Sequence, residues 1–328
     1  LFMPCVVRDI CEFACTIEMF VVTFAVLYMC TTLKLCRMKK LMLCAALFAA
    51  NFGMQAQLLW KVSAPGSDKD SYIVGTHHLA PQGMIDSIPG LQEAIKDIDA
   101  VYGEVDMTTM TPEVQQKAMS IMMAPTDSTL NKVLTKEQYD SVGAVIDKYF
   151  QGMANVDQLA IMKPAAISTQ IALMQNMAAF PGFNPAEQFD SKIQQQAKIL
   201  GKQTCGFETM DFQLGLLYGD AIGEQAESLM KAVRNDEKSL EMSKKLSQAY
   251  IAGNLDAMLE IMTDEELGMD EEGIKKLITD RNENWVALLK TLVPEKSVLV
   301  AVGAGHLPGE KGILSLLKDL GFTVTPVR

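Results

Sequence analysis

The chain contains three histidines, His77, His78 and His306, and all three fall inside two copies of one short pattern. Gly75-Thr76-His77-His78-Leu79 and Gly303-Ala304-Gly305-His306-Leu307 share G-x-x-H-L, each directly after an apolar run and each followed closely by a proline, Pro81 or Pro308. Glu104 and Glu208 also follow short apolar runs, DAVYG (99–103) and QTCGF (203–207). Imidazole nitrogen and carboxylate oxygen are both ligands for divalent ions. Two imidazoles with one or two carboxylates leave positions open for water, as catalytic metal sites require. The glycines ahead of each histidine let backbone, ion or substrate approach closely. A single histidine in a soluble domain is more often a surface residue or a hydrogen-bonded core residue than a ligand. The joint placement of His78, His306, Glu104 and Glu208, each just past an apolar run, alters that weighing.

Such a ligand set needs strands that end at a common edge. SYIV (71–74) stops at Gly75, DAVYG stops before Glu104, and between them LQEAIKDI (91–98) puts Leu91, Ala94, Ile95 and Ile98 on one helical face. Strand, loop, helix, strand is the βαβ order. The C-terminal end repeats it: SVLVAV (297–302), a Gly-rich loop, a helix over GILSLLKDL (312–320), a stop at Gly321 and a last strand TVTPV (323–327). The two ends are expected to share one sheet, with a ligand in the crevice beyond the carboxyl ends of its strands.

From about residue 111 to 290 the pattern is helical at nearly every stretch, with starts at Thr111-Pro112, Thr135 and Thr263-Asp264. A strand at QTCGF, after the helix SKIQQQAKILGK (191–202), interrupts it. The expected fold class is α/β, a central sheet built from N- and C-terminal βαβ-like segments with a large helical insertion. Methionines in AMSIMMAP (118–125) and IALMQNMAAF (171–180) read as core filler rather than as a Met-lined peptide groove. Cys205, inside the strand with only Lys202 as a basic neighbour, reads as a buried, inert thiol.

With 49% hydrophobic and 21% charged residues among 328, the chain has ample material for a core and is neither a disordered nor a collagen-like polymer. Its formal charge of -11 repels phosphate backbones, so no nucleic-acid partner is expected. Residues 38–57, MKKLMLCAALFAANFGMQAQ, have a basic start, a short apolar run and small residues up to Ala56, the order of a secretory signal peptide. Residues 1–37 begin with Leu and hold a second apolar patch, Met19 to Cys30, too short to span a bilayer. They read as an upstream over-extension of the reading frame, a tandem anchor being the alternative. Of seven cysteines only Cys205 lies beyond residue 45. Residues 57–328 are thus expected to form a single exported domain in the periplasm or cell envelope, without disulfides and without a stable membrane span.

GTHH (75–78) and GAGH (303–306), with YGEVD (102–106), GFET (206–209) followed by Gln213, and DRNENW (280–285), resemble in order and spacing the TraB/PrgY/GumN family, which includes the Tiki metalloproteases. The resemblance covers about Leu59 to the C-terminus. It implies an α/β core with a helical insertion and, in the Tiki branch, divalent-metal-dependent peptide hydrolysis that depends on the two G-x-x-H histidines and an acidic residue. The TraB and PrgY branch is linked to limiting peptide pheromone activity. His78 and His306 match the motif histidines, Glu104 the acid after the second strand, Glu208 the Glu-Thr element and Arg281 the arginine of the R-N pair. His77 occupies a variable position. Ala165, after Lys163-Pro164, departs from the aromatic that is frequent there.

On this reading His78, His306 and Glu104 bind a divalent ion (Mn, Co, Zn or Fe), which makes hydroxide available near neutral pH. Either Glu104 or Glu208 ligates and the other takes the water's proton. Arg281 either clamps a substrate carboxylate or oxyanion or forms a salt bridge at the core edge. The expected function is an exported metal-dependent hydrolase, a peptidase acting on peptides or unfolded protein segments. The alternatives are a non-catalytic peptide-sequestering protein and a metal-free esterase or haem-binding relative on the same fold.

Overall fold

A computed structural model describes residues 57–328, apart from 79, 81, 180–187, 265 and 267. The expected signal peptide and residues 1–37 lie outside the described residues. Six strands, β1 (Leu59–Ser63), β2 (Asp70–Thr76), β3 (Ala100–Val105), β4 (Gln203–Glu208), β5 (Val298–Gly303) and β6 (Thr323–Pro326), form one sheet in the order β4-β3-β5-β2-β1-β6. The four strands β4, β3, β5 and β2 run parallel, whereas β1 is antiparallel to both β2 and β6. N- and C-terminal segments share the sheet, as expected from the two βαβ patterns. The hairpin strand β1 was not expected. Its LWKVS run carries only a short signal, and the turn after it is set by Gly66 at φ 73°.

β5 lies at the centre and is buried on both faces, from Val298 to Val302, which is why it reads as a continuous apolar run rather than an alternating one. Register places Thr76 opposite Gly303, Gly103 opposite Ala301 and Val105 opposite Glu208. Four neighbouring strands therefore deliver their carboxyl ends, and the residues that follow them, to one edge.

The expected helix after β2 is α1 (Leu91–Asp97), which buries Leu91, Ala94 and Ile95. The inserted region contains α2 (Pro112–Met122), α3 (Lys136–Phe150), α4 (Pro164–Ala179), α5 (Phe189–Ile199), α6 (Met210–Tyr218), α7 (Ile222–Arg234), α8 (Asp236–Ile251), α9 (Leu255–Met262) and α10 (Asp280–Leu292), and α11 (Ile313–Asp319) follows β5. Thr111 caps α2 and Thr135 caps α3 with a reciprocal Gln138 box, as the sequence predicts. The start expected at Thr263-Asp264 is wrong. Thr263 ends α9, and the next helical turn begins after Asp270, whose side chain accepts from the Gly273 N–H. Two capping-type signals lie in one short stretch, and the one followed by Gly at the third helical position was taken.

The insertion is not one separate block. Phe189, Ile193 and Ala197 of α5, Tyr250 of α8 and Trp285 and Leu289 of α10 join the sheet's own core, while α3, α4 and α7 share a second cluster around Ile146, Ile167 and Leu229. Among the described residues no helix is long and apolar enough to cross a membrane.

Candidate active site

Glu104 and Glu208 sit near the carboxyl ends of β3 and β4, His306 in the turn after β5, and His78 just after β2. Two glycines allow this convergence. A Cβ at Gly75 would lie 3.0 Å from the Ala304 Cβ and 3.1 Å from its Cα, and one at Gly303 would lie 3.2 Å from Glu104 Oε1. The two motif loops thus touch through atoms that only glycine leaves room for.

Arg281 is the hub, buried on the first turn of α10, two residues after a π-helical turn at Lys275–Thr279. Its Nε donates to Glu208 Oε1 at 2.8 Å and Nη2 to Glu208 Oε2 at 2.9 Å and to Glu104 Oε2 at 2.5 Å. Nη1 donates to the Leu277 carbonyl at 2.9 Å and to His306 Nε2 at 3.2 Å. A guanidinium has five N–H donors, and all five are spent. Of the two roles expected for Arg281, the geometry has it in the salt bridge, with no donor left over for a substrate group while these bonds hold.

The two glutamates differ in what they have left. Glu208 accepts two bonds from Arg281, one from Trp285 Nε1 at 3.0 Å and one from Gln213 Nε2 at 3.1 Å, which uses its four acceptor directions. Glu104 accepts from Arg281, from Gln213 Nε2 at 3.0 Å and from the Gly303 N–H at 2.8 Å, so one direction on Oε1 stays open. Burial opposes the ionisation of Glu104, but His306, His78, Arg281 and the Gly303 N–H hold its pKa down to about 2.

His306 is fixed as one tautomer. Asn282, fully buried, donates from Nδ2 to the carbonyls of His306 and Lys311, so its Oδ1 must be the acceptor for His306 Nδ1 at 2.7 Å. The proton sits on Nδ1 and the lone pair on Nε2. Burial, with Arg281 and His78 adding to it, pushes the His306 pKa down to about 4, so the ring is neutral near pH 7. The ring also packs on Trp285, at 4.5 Å between centroids.

His78 shows the same design with a stronger partner. Its Nδ1–H donates to Asp190 Oδ2 at 2.7 Å, and Asp190 Oδ1 accepts from Thr76 Oγ1 at 2.6 Å. Asp190 raises the His78 pKa to about 9 against the effect of burial, although the side chain keeps 60% of its exposure. His77 instead packs against Tyr250, with ring centroids 5.1 Å apart, and burial followed by the neighbouring His78 lowers its pKa to about 4.

Asp190 and Gln194 escaped the sequence reading. They lie four residues apart on one face of α5, and both are buried. Asp190 holds His78, while Gln194 donates to the Val105 carbonyl at 2.9 Å and accepts from the Met107 N–H at 2.7 Å, fixing the chain just after Glu104. In FDSKIQQQAK neither differs from a solvated polar residue on an amphipathic helix, so spacing gave no signal. Asn282 and Gln213 were visible only as neighbours of Arg281 and Glu208.

In type, the donors fit a divalent ion. His306 offers a neutral nitrogen whose other ring atom is locked by a buried amide, Asp190 orients His78 as a carboxylate orients a metal-bound imidazole, and Glu104 keeps an open acceptor direction. Among the described residues no three His, Cys, Asp or Glu side chains stand close enough together to hold an ion as they are placed. Beside Glu208 a cavity of about 340 Å³ opens, lined in part by Val105, Met110, Val114, Lys117, Met210 and Asp211.

A sequence model of the TraB/PrgY/gumN family matches residues 58–326. The chain belongs to the TraB/PrgY/gumN family. This bears out the resemblance read from the GTHH, YGEVD, GFET, DRNENW and GAGH segments. Two relatives are similar to this TraB/PrgY/gumN chain across most of its length. "Metalloprotease TIKI2" of Danio rerio is 22% identical over 321 residues, covering 81% of this chain and 60% of the relative. "Metalloprotease TIKI1" of Xenopus tropicalis is 23% identical over 325 residues, covering 82% and 62%. The chain thus spans about three-fifths of the length of these curated relatives. No solved structure matches this TraB/PrgY/gumN chain.

Proposed function

We propose that the chain is an exported, divalent-metal-dependent hydrolase of peptide bonds, with His78, His306 and Glu104 as the residues that would hold the ion. The observation that carries this reading is the shared treatment of the two motif histidines. In each, Nδ1 is bound by a dedicated polar side chain, Asp190 or Asn282, so Nε2 is the nitrogen that would ligate, once His78 gives up its second proton and Arg281 releases His306. Two distant relatives named metalloproteases support the same class. Bound there, a divalent ion supplies Lewis acidity toward a scissile carbonyl and toward water.

The protein's own groups divide the remaining work. Glu104 is the carboxylate with unspent acceptor capacity, so ligation or proton acceptance falls to it and not to the saturated Glu208. Glu208 and Gln213 hold Arg281 and Glu104 in place. The cavity beside Glu208 offers a recess for part of the substrate, with Val105, Val114 and Met210 against its apolar groups; Lys117 and Asp211 there pair with each other, and His78, His306 and Glu104 lie outside its lining. Peptides or unfolded segments suit such a site because an extended chain can lie along the strand ends. The basic and apolar order of residues 38–56 supports export to the periplasm or cell envelope, and mass mapping of the native N-terminus near Gln57 tests that part.

The test of activity is metal analysis of the purified protein together with a mixed-peptide digest read by mass spectrometry. New termini that disappear on chelation and return with Mn²⁺ or Co²⁺ are expected. Turnover indifferent to exhaustive chelation would overturn the metal part, and peptide binding without new termini would leave a sequestering protein.

A further inference from the structure

Arg281 and a divalent ion lay claim to the same atoms. The His306 Nε2 lone pair is the only one on that ring, because Asn282 fixes the proton on Nδ1. That lone pair accepts from Arg281 Nη1 at 3.2 Å. An ion on Nε2 and this hydrogen bond are mutually exclusive by electron count alone. The guanidinium also neutralises Glu104, the carboxylate that would draw the ion in.

We infer that Arg281 is an intramolecular competitor of the divalent ion: the ion enters only when Nη1 gives up His306, and Arg281 thereby sets the ion concentration at which the site fills. This rests on the metal-dependent reading above and adds to it a residue that tunes loading. The bond to be given up is the longest of the five that Arg281 makes. Its fork on Glu208 and its bond to Leu277 involve neither His306 nor Glu104, so Arg281 can release the ring while α10 and the fork stay in place. Near Glu104 the positive guanidinium also repels an arriving cation, and burial makes that repulsion stronger than in water. A lysine would keep the charge but could not form the fork and reach His306 together.

The experiment is calorimetric titration of the metal-free full chain with MnCl₂, comparing wild type, Arg281→Lys and Arg281→Met. Arg281→Met is expected to bind Mn²⁺ about ten-fold or more tighter than wild type, the scale of effect for residues that contact ligands. Arg281→Lys should also gain, by less. Because lysine keeps the positive charge, a gain in Arg281→Lys separates competition at the ring from a general change in charge. Thermal melting in chelator reports folding, and if Arg281→Met does not fold, Arg281→Lys decides alone. Variants that bind Mn²⁺ no tighter than wild type, or a gain in Arg281→Met with none in Arg281→Lys, would overturn the inference while leaving the metal-dependent reading intact. No binding of Mn²⁺, Co²⁺ or Zn²⁺ by any of the proteins would remove both.

Discussion

Glu104 Oε1 and His306 Nε2 stand 3.8 Å apart, on neighbouring parallel strands, β3 and the turn after β5. The same carboxylate oxygen accepts the Gly303 N–H, so the backbone that leads into the histidine also aims the glutamate. Around this pair Arg281 has spent its donors and Glu208 its acceptor directions, whereas Glu104 keeps one open, which gives the glutamates separable roles.

Glu104→Gln and Glu208→Ala should therefore fail in different ways. The first keeps size and leaves the Glu208 fork on Arg281 intact, so the fold should persist while metal binding and hydrolysis are lost. The second removes two of the five hydrogen bonds of a buried guanidinium and should cost about 3–5 kcal/mol of stability. Denaturant melts beside metal titrations distinguish them.

Asn282→Ala should release the tautomer of His306. Affinity for Mn²⁺ should fall about 10- to 100-fold, as for other groups that orient metal-bound imidazoles. Stability should fall by about 1–3 kcal/mol for the buried His306 carbonyl left unpaired, and by less for the half-buried Lys311 carbonyl. Unchanged Mn²⁺ affinity would show that Asn282 only packs.

For the metal-free protein the pH dependence of stability has a worked sign. Between about pH 4 and 6.5 the unfolded chain takes up protons at His77 and His306 that the folded chain refuses, so stability rises with pH. Glu104, held down to about 2 from 4.5, acts in the same direction at lower pH. Between 6.5 and about 9 the folded chain keeps a proton on His78 that the unfolded chain releases, so stability falls, though gently because that ring is exposed. Urea titrations in chelator should thus find a maximum near neutrality. Asp190→Asn should flatten the alkaline limb, and an NMR titration should find the His78 pKa reduced.

Gly75→Ala puts a Cβ against Ala304 at 3.0 Å and a Leu307 methyl at 3.2 Å, between loops that have no slack. A loss of about 1–3 kcal/mol is expected. If the loops separate to relieve it, metal affinity should fall as well, although residue 75 carries no ligand. Thermal melts and Mn²⁺ titration check both.

Much of this was legible in the chain itself. The βαβ order at each end, the strand QTCGF inside a helical stretch, the Thr-capped helices and the G-x-x-H pair all rest on local periodicity, capping and glycine placement, which act over a few residues. The same local rules misplaced a helix start at Thr263 and missed the short strand β1, where the signal is only a few residues long. What local pattern cannot carry is the count of hydrogen bonds between distant segments. That Glu208 is saturated while Glu104 is not, that Asp190 and Gln194 of α5 reach back to the ends of β2 and β3, and that Arg281 has no N–H to spare depend on contacts between elements far apart in sequence. The sequence determined which side chains arrive at the strand ends. Tertiary packing decided which of their lone pairs and protons remain free, because a buried polar group must find a partner and only the assembled elements settle which one it finds.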